Sequence, residues 1–505
     1  MLAGIMSSMT VSAESLERFV VTYKAGETEQ AMSAIAQADG KFEVDLSEIN
    51  AVAVSLPAQA TAALARNPVI EFVETDPTRS IMRIPGITAA DKLTDSGETI
   101  PYGIPMVQAD QVSYNPDNHR TLCIVDSGYD INHEDLQKDN VTGTNFSHSG
   151  TWDSDEASHG THVAGTAVAL GGNGIGVVGV ASSGDMPIYI AKVFDASGSA
   201  PGSIIARAVL ACEDAGANVI SMSLGGSKAT KFEQRVYDSV AANNILIVAA
   251  AGNGGNNSIS YPAGFSGVMS VAAVDSGMNV AAFSQYNSDV EIAAPGVGVL
   301  STVPAGSQET ASLSVDTTTY NVHPMEGSPH IDASGPLADF GLGDVVMRKA
   351  MTGKVCLIQR GSITFADKVK NCQKSGGIGA VIYNHSPGEL FGTLAGTKTR
   401  IPSVGATLAD GESMLTQLGT TANVAVFNST DLYAAYSGTS MSTPHVSSAA
   451  ALVWSNHPEC SAAQIRDALN NSAMDLGAAG RDDYYGNGLL QVHNAIDFLS
   501  ENPCN

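Results

Sequence analysis

From about residue 99 to residue 302, short unbroken apolar runs (TLCIV, IYIAKVF, NVISMSL and NILIVAAA) alternate with stretches of helical periodicity. A strand that is apolar on both faces has to be covered on both faces, so the pattern predicts a parallel sheet sandwiched by helices, an α/β fold. The same architecture resumes at residue 429 and runs to residue 505, where SMSTPHVSSAAALVWSN reads as a long helix of small residues. Residues 99–302 and 429–505 therefore read as one domain interrupted by another. The interruption, residues 303–428, has its own strand-like runs (KVCLIQRG, AVIYN) and its own helix (TFADKVKNCQKSG), enough for a small inserted α/β domain.

Upstream, residues 14–77 run strand, helix, strand, strand, helix, strand, the β-α-β-β-α-β order of a ferredoxin-like α+β domain. Residues 78–98 are polar and rich in breakers and read as an exposed, easily cut linker with a processing site. The opening residues 1–13, MLAGIMSSMTVSA, fit the tail of a signal peptide without its basic region.

The net charge of -26 opposes binding to nucleic acid or to anionic membrane surfaces. No run of apolar residues is long enough to span a bilayer. The six cysteines include no CxxC pair and lack zinc spacing, so they read as disulfides formed in an oxidising compartment, and the chain as secreted and extracellular.

Peptide-bond hydrolysis by a serine needs a base within hydrogen-bond reach and a carboxylate that orients that base. Asp126 follows the apolar run TLCIV, at the end of a strand where open α/β sheets build sites. His159 opens HGTHVAGTAVAL, a helix of small residues, and Ser440 lies at the start of the long helix, where backbone N–H groups favour developing negative charge. Singly, each could be a turn or cap residue. Together, DSGYDINHEDL, HGTHVAGT and SGTSMSTPHVSSAAA resemble the three signature blocks of the subtilisin family, in that family's order.

The resemblance implies a subtilisin-like serine endopeptidase in which Ser440 attacks, His159 moves the proton and Asp126 holds the imidazole. His162 reads as structural. Asn253 matches the family's oxyanion donor, with the Ser440 N–H as its partner. Ser197-Gly198 and Ser223-Leu224-Gly225 match the two substrate-binding edges, and Ala250, Ala251 and Gly252 wall a primary pocket that suits a large apolar side chain. Asp135, Leu170, Asn173, Ile175 and Val177 resemble the family's calcium site, with Glu98 as a further oxygen, although the loop has one extra residue. No organic cofactor is implied.

The N-terminal segment resembles the family's propeptide, an intramolecular inhibitor and folding template, and the insert resembles a protease-associated (PA) domain. Cys356 with Cys372 is the expected bridge inside the insert, with Cys123–Cys212 and Cys460–Cys504 for the rest. The implied product is a monomeric protease with protein or peptide substrates, made as an autoprocessed zymogen. The competing reading is a catalytically silent, peptide-binding homologue. An esterase of the α/β-hydrolase type is opposed because GTSMS is not GxSxG.

Overall fold

The computed structural model describes residues 15–83, 97–361 and 363–504. The signal-peptide reading of residues 1–13 and most of the linker reading lie outside the described residues. The chain folds as two compact units: residues 15–83, 97–302 and 437–504 in the first, and Val303–Tyr436 in the second. The second unit thus runs eight residues past the boundary expected at residue 428.

The first unit is built on a seven-stranded parallel sheet. Its spatial order is Val290–Pro295, Val268–Val274, Leu246–Ala250, Val219–Met222, Leu122–Asp126, Ile188–Lys192, Val141–Asn145. From Leu122–Asp126 the chain first fills one side of the sheet and then crosses to the other. The reversal of strand order therefore falls beside Asp126, where a crevice opens at the carboxyl ends of the strands. The helix Thr439–Asn456 is buried from Thr439 to Ser455 and packs on three central strands and on the helix His159–Val168. Its run of Ser, Thr and Ala follows from that position, since larger side chains would hold the helix off the sheet.

The N-terminal domain is an antiparallel sheet in the order Lys41–Leu46, Ala51–Pro57, Leu16–Tyr23, Ile70–Thr75, with helices Thr28–Gln37 and Thr61–Leu64. Strand alternation divides its side chains between two cores. Phe19, Val21, Tyr23, Val52, Val54 and Leu56 meet Ala31, Ile35 and Leu64 of its own helices. Val20, Val44, Leu46, Ala51 and Ala53 face the other way and join Ile205, Val209, Phe232 and Val236 from the helices Gly202–Asp214 and Lys231–Ala242.

Carboxylates of the N-terminal domain also meet the amino ends of those two helices. Asp76 accepts from the Ser203 N–H at 2.9 Å and from its hydroxyl at 2.6 Å, and Glu74 accepts from the Lys231 and Phe232 N–H groups at 3.0 and 3.1 Å. They satisfy donors that the first turn of any helix leaves unpaired, and they place negative charge at the positive end of the dipole.

The expected linker begins instead with a strand. Thr78–Ile81 lies antiparallel between Ser199–Pro201 and Leu224–Gly225. Its alternation of polar residues hides a strand held by partners more than a hundred positions away.

The second unit is a mixed eight-stranded sheet, in the order Thr318–Tyr320, Gln308–Val315, Thr421–Ser429, Asp332–Asp339, Val355–Gln359, Gly379–Tyr383, Ser403–Ala406, His323–Pro324. Its helices Phe365–Lys374 and Leu408–Leu415 are N-capped by Thr364 and Thr407, whose side chains accept from Asp367 and Asp410 N–H groups. All six cysteines are paired, as Cys123–Cys212, Cys356–Cys372 and Cys460–Cys504, the three bridges expected.

The side chain of Asp76 is fully buried and also receives Arg18 Nε at 3.1 Å. Asp76→Ala in a Ser440→Ala background should destabilise the chain by about 2 kcal/mol, because it strands buried donors. Urea unfolding measures it, and a loss within about 0.5 kcal/mol of zero would remove the capping argument.

Candidate active site

Asp126 ends the strand Leu122–Asp126 and is buried. Its Oδ1 accepts the Ser127 N–H at 2.7 Å and meets His159 Nδ1 at 2.8 Å. His159 reaches it because the first turn of its helix abuts the loop after the strand. A Cβ at Gly160 would stand 2.3 Å from the Gly128 carbonyl oxygen, so only glycine permits this approach. His159 Nε2 and Asp126 Oδ2 are buried without hydrogen-bond partners among the described residues.

Asp155 was not singled out from the sequence, yet it ties these pieces together. It accepts from the Ser127 hydroxyl at 2.8 Å, the Thr161 N–H at 2.8 Å and the Thr161 hydroxyl at 2.7 Å, while Ser127 Oγ accepts the Gly160 N–H at 2.8 Å. Burial pushes its carboxyl pKa up, against the pull of its donors. No local motif marks it; only the fold brings residues 127, 155 and 161 together.

Ser440 occupies the second position of its helix, behind Gly438. Pro444 has no N–H, so the Ser440 carbonyl lacks its partner one turn on. The Ser223 hydroxyl takes that place, donating to Ser440 O at 2.7 Å, while Ser440 Oγ donates to Ser223 O at 2.9 Å. The hydroxyl of Ser440 is thus engaged with Ser223, and His159 Nε2 is left unpaired.

Asn253 follows the strand Leu246–Ala250, and its Oδ1 accepts from the Thr439 N–H at 2.9 Å and hydroxyl at 3.0 Å. The backbone donor fixes which end of the amide is oxygen. Nδ2 is left buried and unpartnered among the described residues.

The cleft itself holds Thr78–Met82. Ile81 pairs with Leu224 and Ser80 with Gly225; the Ile81 N–H donates to Gly198 O at 3.0 Å and the Met82 N–H to Ser223 O at 3.4 Å. A Cβ at Gly438 would stand 2.3 Å from Met82 O and 3.0 Å from Asn253 Nδ2, so the Met82 carbonyl and the unpaired amide share one small space. A Cβ at Gly225 would lie 2.5 Å from Met82 Cε.

On the opposite side the edge is Ser199–Pro201 with Gly198. Ser197 falls outside it, in a turn where its N–H donates to Asp195 at 2.8 Å. Ala250 and Ala251 are buried, Ala251 within a cluster with Ala272, Val274 and Leu489, and the Gly252 N–H donates to the Thr439 hydroxyl at 3.2 Å. His162 is buried with Nε2 3.0 Å from Val299 O.

Among the described residues, no group of three or more His, Cys, Asp or Glu side chains is placed to hold a metal. The Asp135 loop closes on itself. Asp135 accepts from Asn173 Nδ2 and from the Val177 N–H, each at 2.7 Å, and the Leu170 N–H donates to the Asp135 carbonyl at 3.0 Å. Glu98 accepts from the Gly172 N–H at 2.7 Å, and Asn173 Oδ1 from the Ile175 N–H at 2.9 Å.

Comparison with known proteins agrees with this geometry. Residues 117–328 and 401–488 match the subtilase family, and residues 319–414 match the PA domain. The chain belongs to the subtilase family and is a serine endopeptidase with an inserted PA domain. It is 28% identical to subtilisin NAT of Bacillus subtilis subsp. natto, over 97% of this chain and 93% of that protein. It is 40% identical to subtilisin DY of Bacillus licheniformis, over 42% of this chain and 77% of that one. Among solved structures, the psychrophilic subtilisin-like protease Apa1 from the Antarctic psychrotroph Pseudoalteromonas sp. AS-11 is 39% identical, with a TM-score of 0.56 over 81% of this chain and 99% of that one.

One buried group beside the site titrates in a useful range. His445, whose Nδ1 is 2.8 Å from Met441 O, is fully buried, and desolvation lowers its pKa from 6.5 to about 4. The unfolded chain therefore takes up this proton first as the pH falls. Its stabilising effect is complete above about pH 6.5 and is lost on descending to about pH 4, about 3 kcal/mol in all. In a Ser440→Ala background, His445→Gln should flatten that part of the stability profile between pH 7 and 4.5, as read by urea midpoints. An unchanged slope would contradict the assignment.

Proposed function

We propose that this chain is the secreted precursor of a broad-specificity serine endopeptidase, and that residues 15–82 fill its own cleft until the Met82–Arg83 bond is cut. The observation that carries this reading is the strand Thr78–Ile81, paired to both cleft edges, with the Met82 carbonyl oxygen beside Asn253 and Gly438. An extended peptide added between two edges is how a cleft holds substrate without reading every side chain.

The steps follow from the side chains. Ser440 Oγ turns from Ser223 to His159 Nε2, gives up its proton there and forms a bond to the Met82 carbonyl carbon. Asp126 Oδ1 holds Nδ1 of the imidazolium, and the oxyanion accepts from Asn253 Nδ2 and the Ser440 N–H. Collapse breaks the C–N bond as His159 returns the proton to the Arg83 amine. Water, deprotonated by the same imidazole, then hydrolyses the Met82 ester. Met82 against Gly225 supports an apolar preference at the residue before the scissile bond, and the N-terminal domain acts as an intramolecular inhibitor until it leaves.

Three disulfides support an oxidising, extracellular location. Among the described residues no helix is long and apolar enough to cross a membrane. Nothing in the reaction calls for a second copy of the chain, and the reading is of a monomer.

The loop of Asp135, Asn173, Leu170, Ile175 and Val177, with Glu98, carries carboxylate, amide and carbonyl oxygens, a donor set of the kind calcium takes, and to bind it the Asn173 amide would turn its oxygen from the Ile175 N–H and release Asp135. Bound calcium would fasten the loop by charge. The melting temperature of Ser440→Ala protein should rise by several degrees on going from chelator to millimolar calcium, and Asp135→Asn should abolish the rise. No calcium dependence in the parent would reject the site.

Incubated precursor should yield a product beginning at Arg83, seen by intact mass and N-terminal sequencing, while Ser440→Ala stays whole. First cleavage at another bond, or cleavage of the variant, would refute the register.

A further inference from the structure

In the cleft strand, Arg79 stands fourth before the Met82–Arg83 bond, and its side chain is fully buried. A guanidinium is seldom buried without a built partner, and here one exists. Arg79 Nε donates to Glu233 Oε1 at 2.9 Å, and Nη2 donates to Glu233 Oε2 at 2.5 Å and to the Lys228 carbonyl at 2.7 Å. Glu233 is itself fully buried, on the first turn of the helix Lys231–Ala242, and the Thr230 hydroxyl donates to its Oε2 at 2.5 Å. A Cβ at Gly226 would come within 2.7 Å of Arg79 Nη1, so the missing side chain there leaves the guanidinium its room.

We infer that Glu233, Thr230, Gly226 and the Lys228 carbonyl form a subsite that selects arginine four residues before the scissile bond of substrates. This rests on the reading of Thr78–Met82 as the substrate strand. All four groups belong to the catalytic domain and remain when the N-terminal domain departs. Burial raises the Glu233 carboxyl pKa, with the Arg79 guanidinium the largest influence opposing the rise, so a buried carboxylate here calls for a cation. The two-pronged contact with both carboxylate oxygens, plus a third bond to a carbonyl, suits the planar fork of arginine better than the point charge of lysine.

The test uses mature wild-type enzyme and three fluorogenic peptides of sequence Xaa-Ser-Ile-Met before the cleaved bond, with Xaa as arginine, lysine or norleucine. The arginine peptide should exceed the norleucine peptide in kcat/KM by about ten- to a hundredfold, with lysine between. Glu233→Gln, made together with Arg79→Met so that the precursor folds without an unpaired guanidinium, should bring the arginine-to-norleucine ratio close to one. Casein hydrolysis by the wild type with a ratio near one overturns the subsite alone. Absence of casein hydrolysis overturns both the subsite and the protease reading.

Discussion

Two hydrogen bonds between Ser223 and Ser440 join the last buried helix to the central sheet, and the geometry of the site depends on them. The bond to the Ser440 carbonyl fills the place left by Pro444, which has no N–H to donate. The inserted unit separates the segments that carry these residues in sequence, so the sheet must recapture the helix after more than a hundred intervening positions. Asn253 completes the join by accepting from Thr439, the residue before Ser440. Three polar atoms at the candidate site, Asn253 Nδ2, His159 Nε2 and Asp126 Oδ2, stay buried without hydrogen-bond partners among the described residues. Unsatisfied buried polar atoms are costly in a folded protein, and on the proposed function two of these, Asn253 Nδ2 and His159 Nε2, act on the bound peptide.

The same cost explains the N-terminal domain. It covers apolar surface on two helices, supplies carboxylates to their amino ends and fills the cleft with a strand. A large parallel sheet with distant pairings folds slowly, and on the proposed function a neighbour that satisfies exposed helix ends would lower that barrier. On the proposed function, the contacts that would aid folding are also those that would block the site.

Much of this was legible in the sequence because it is local. The unbroken apolar runs gave the sheet, the small residues gave the buried helix, and Asp126, His159 and Ser440 sit at element ends that such runs define. The β-α-β-β-α-β domain followed from alternation. What escaped was non-local. Thr78–Ile81 looks like a linker because its polar alternation makes sense only between two distant edges, and Arg79 looks like a solvated charge until Glu233 is brought to it. Asp155 and the extension of the edge from Gly198 into Ser199–Pro201 have no sequence signal either. The engagement of the Ser440 hydroxyl with Ser223 depends on a side-chain rotation that sequence does not encode.

On the proposed function, the chain's own strand occupies the cleft in front of Ser440 until it is cut. A fluorophosphonate labelling time course on fresh precursor, read by intact mass and peptide mapping, tests it most directly. Ser440 alone should be modified, and labelled molecules should begin at Arg83, with uncleaved chains unlabelled. Labelling of uncleaved chains at the rate of cleaved ones, or modification of a different serine, would contradict it.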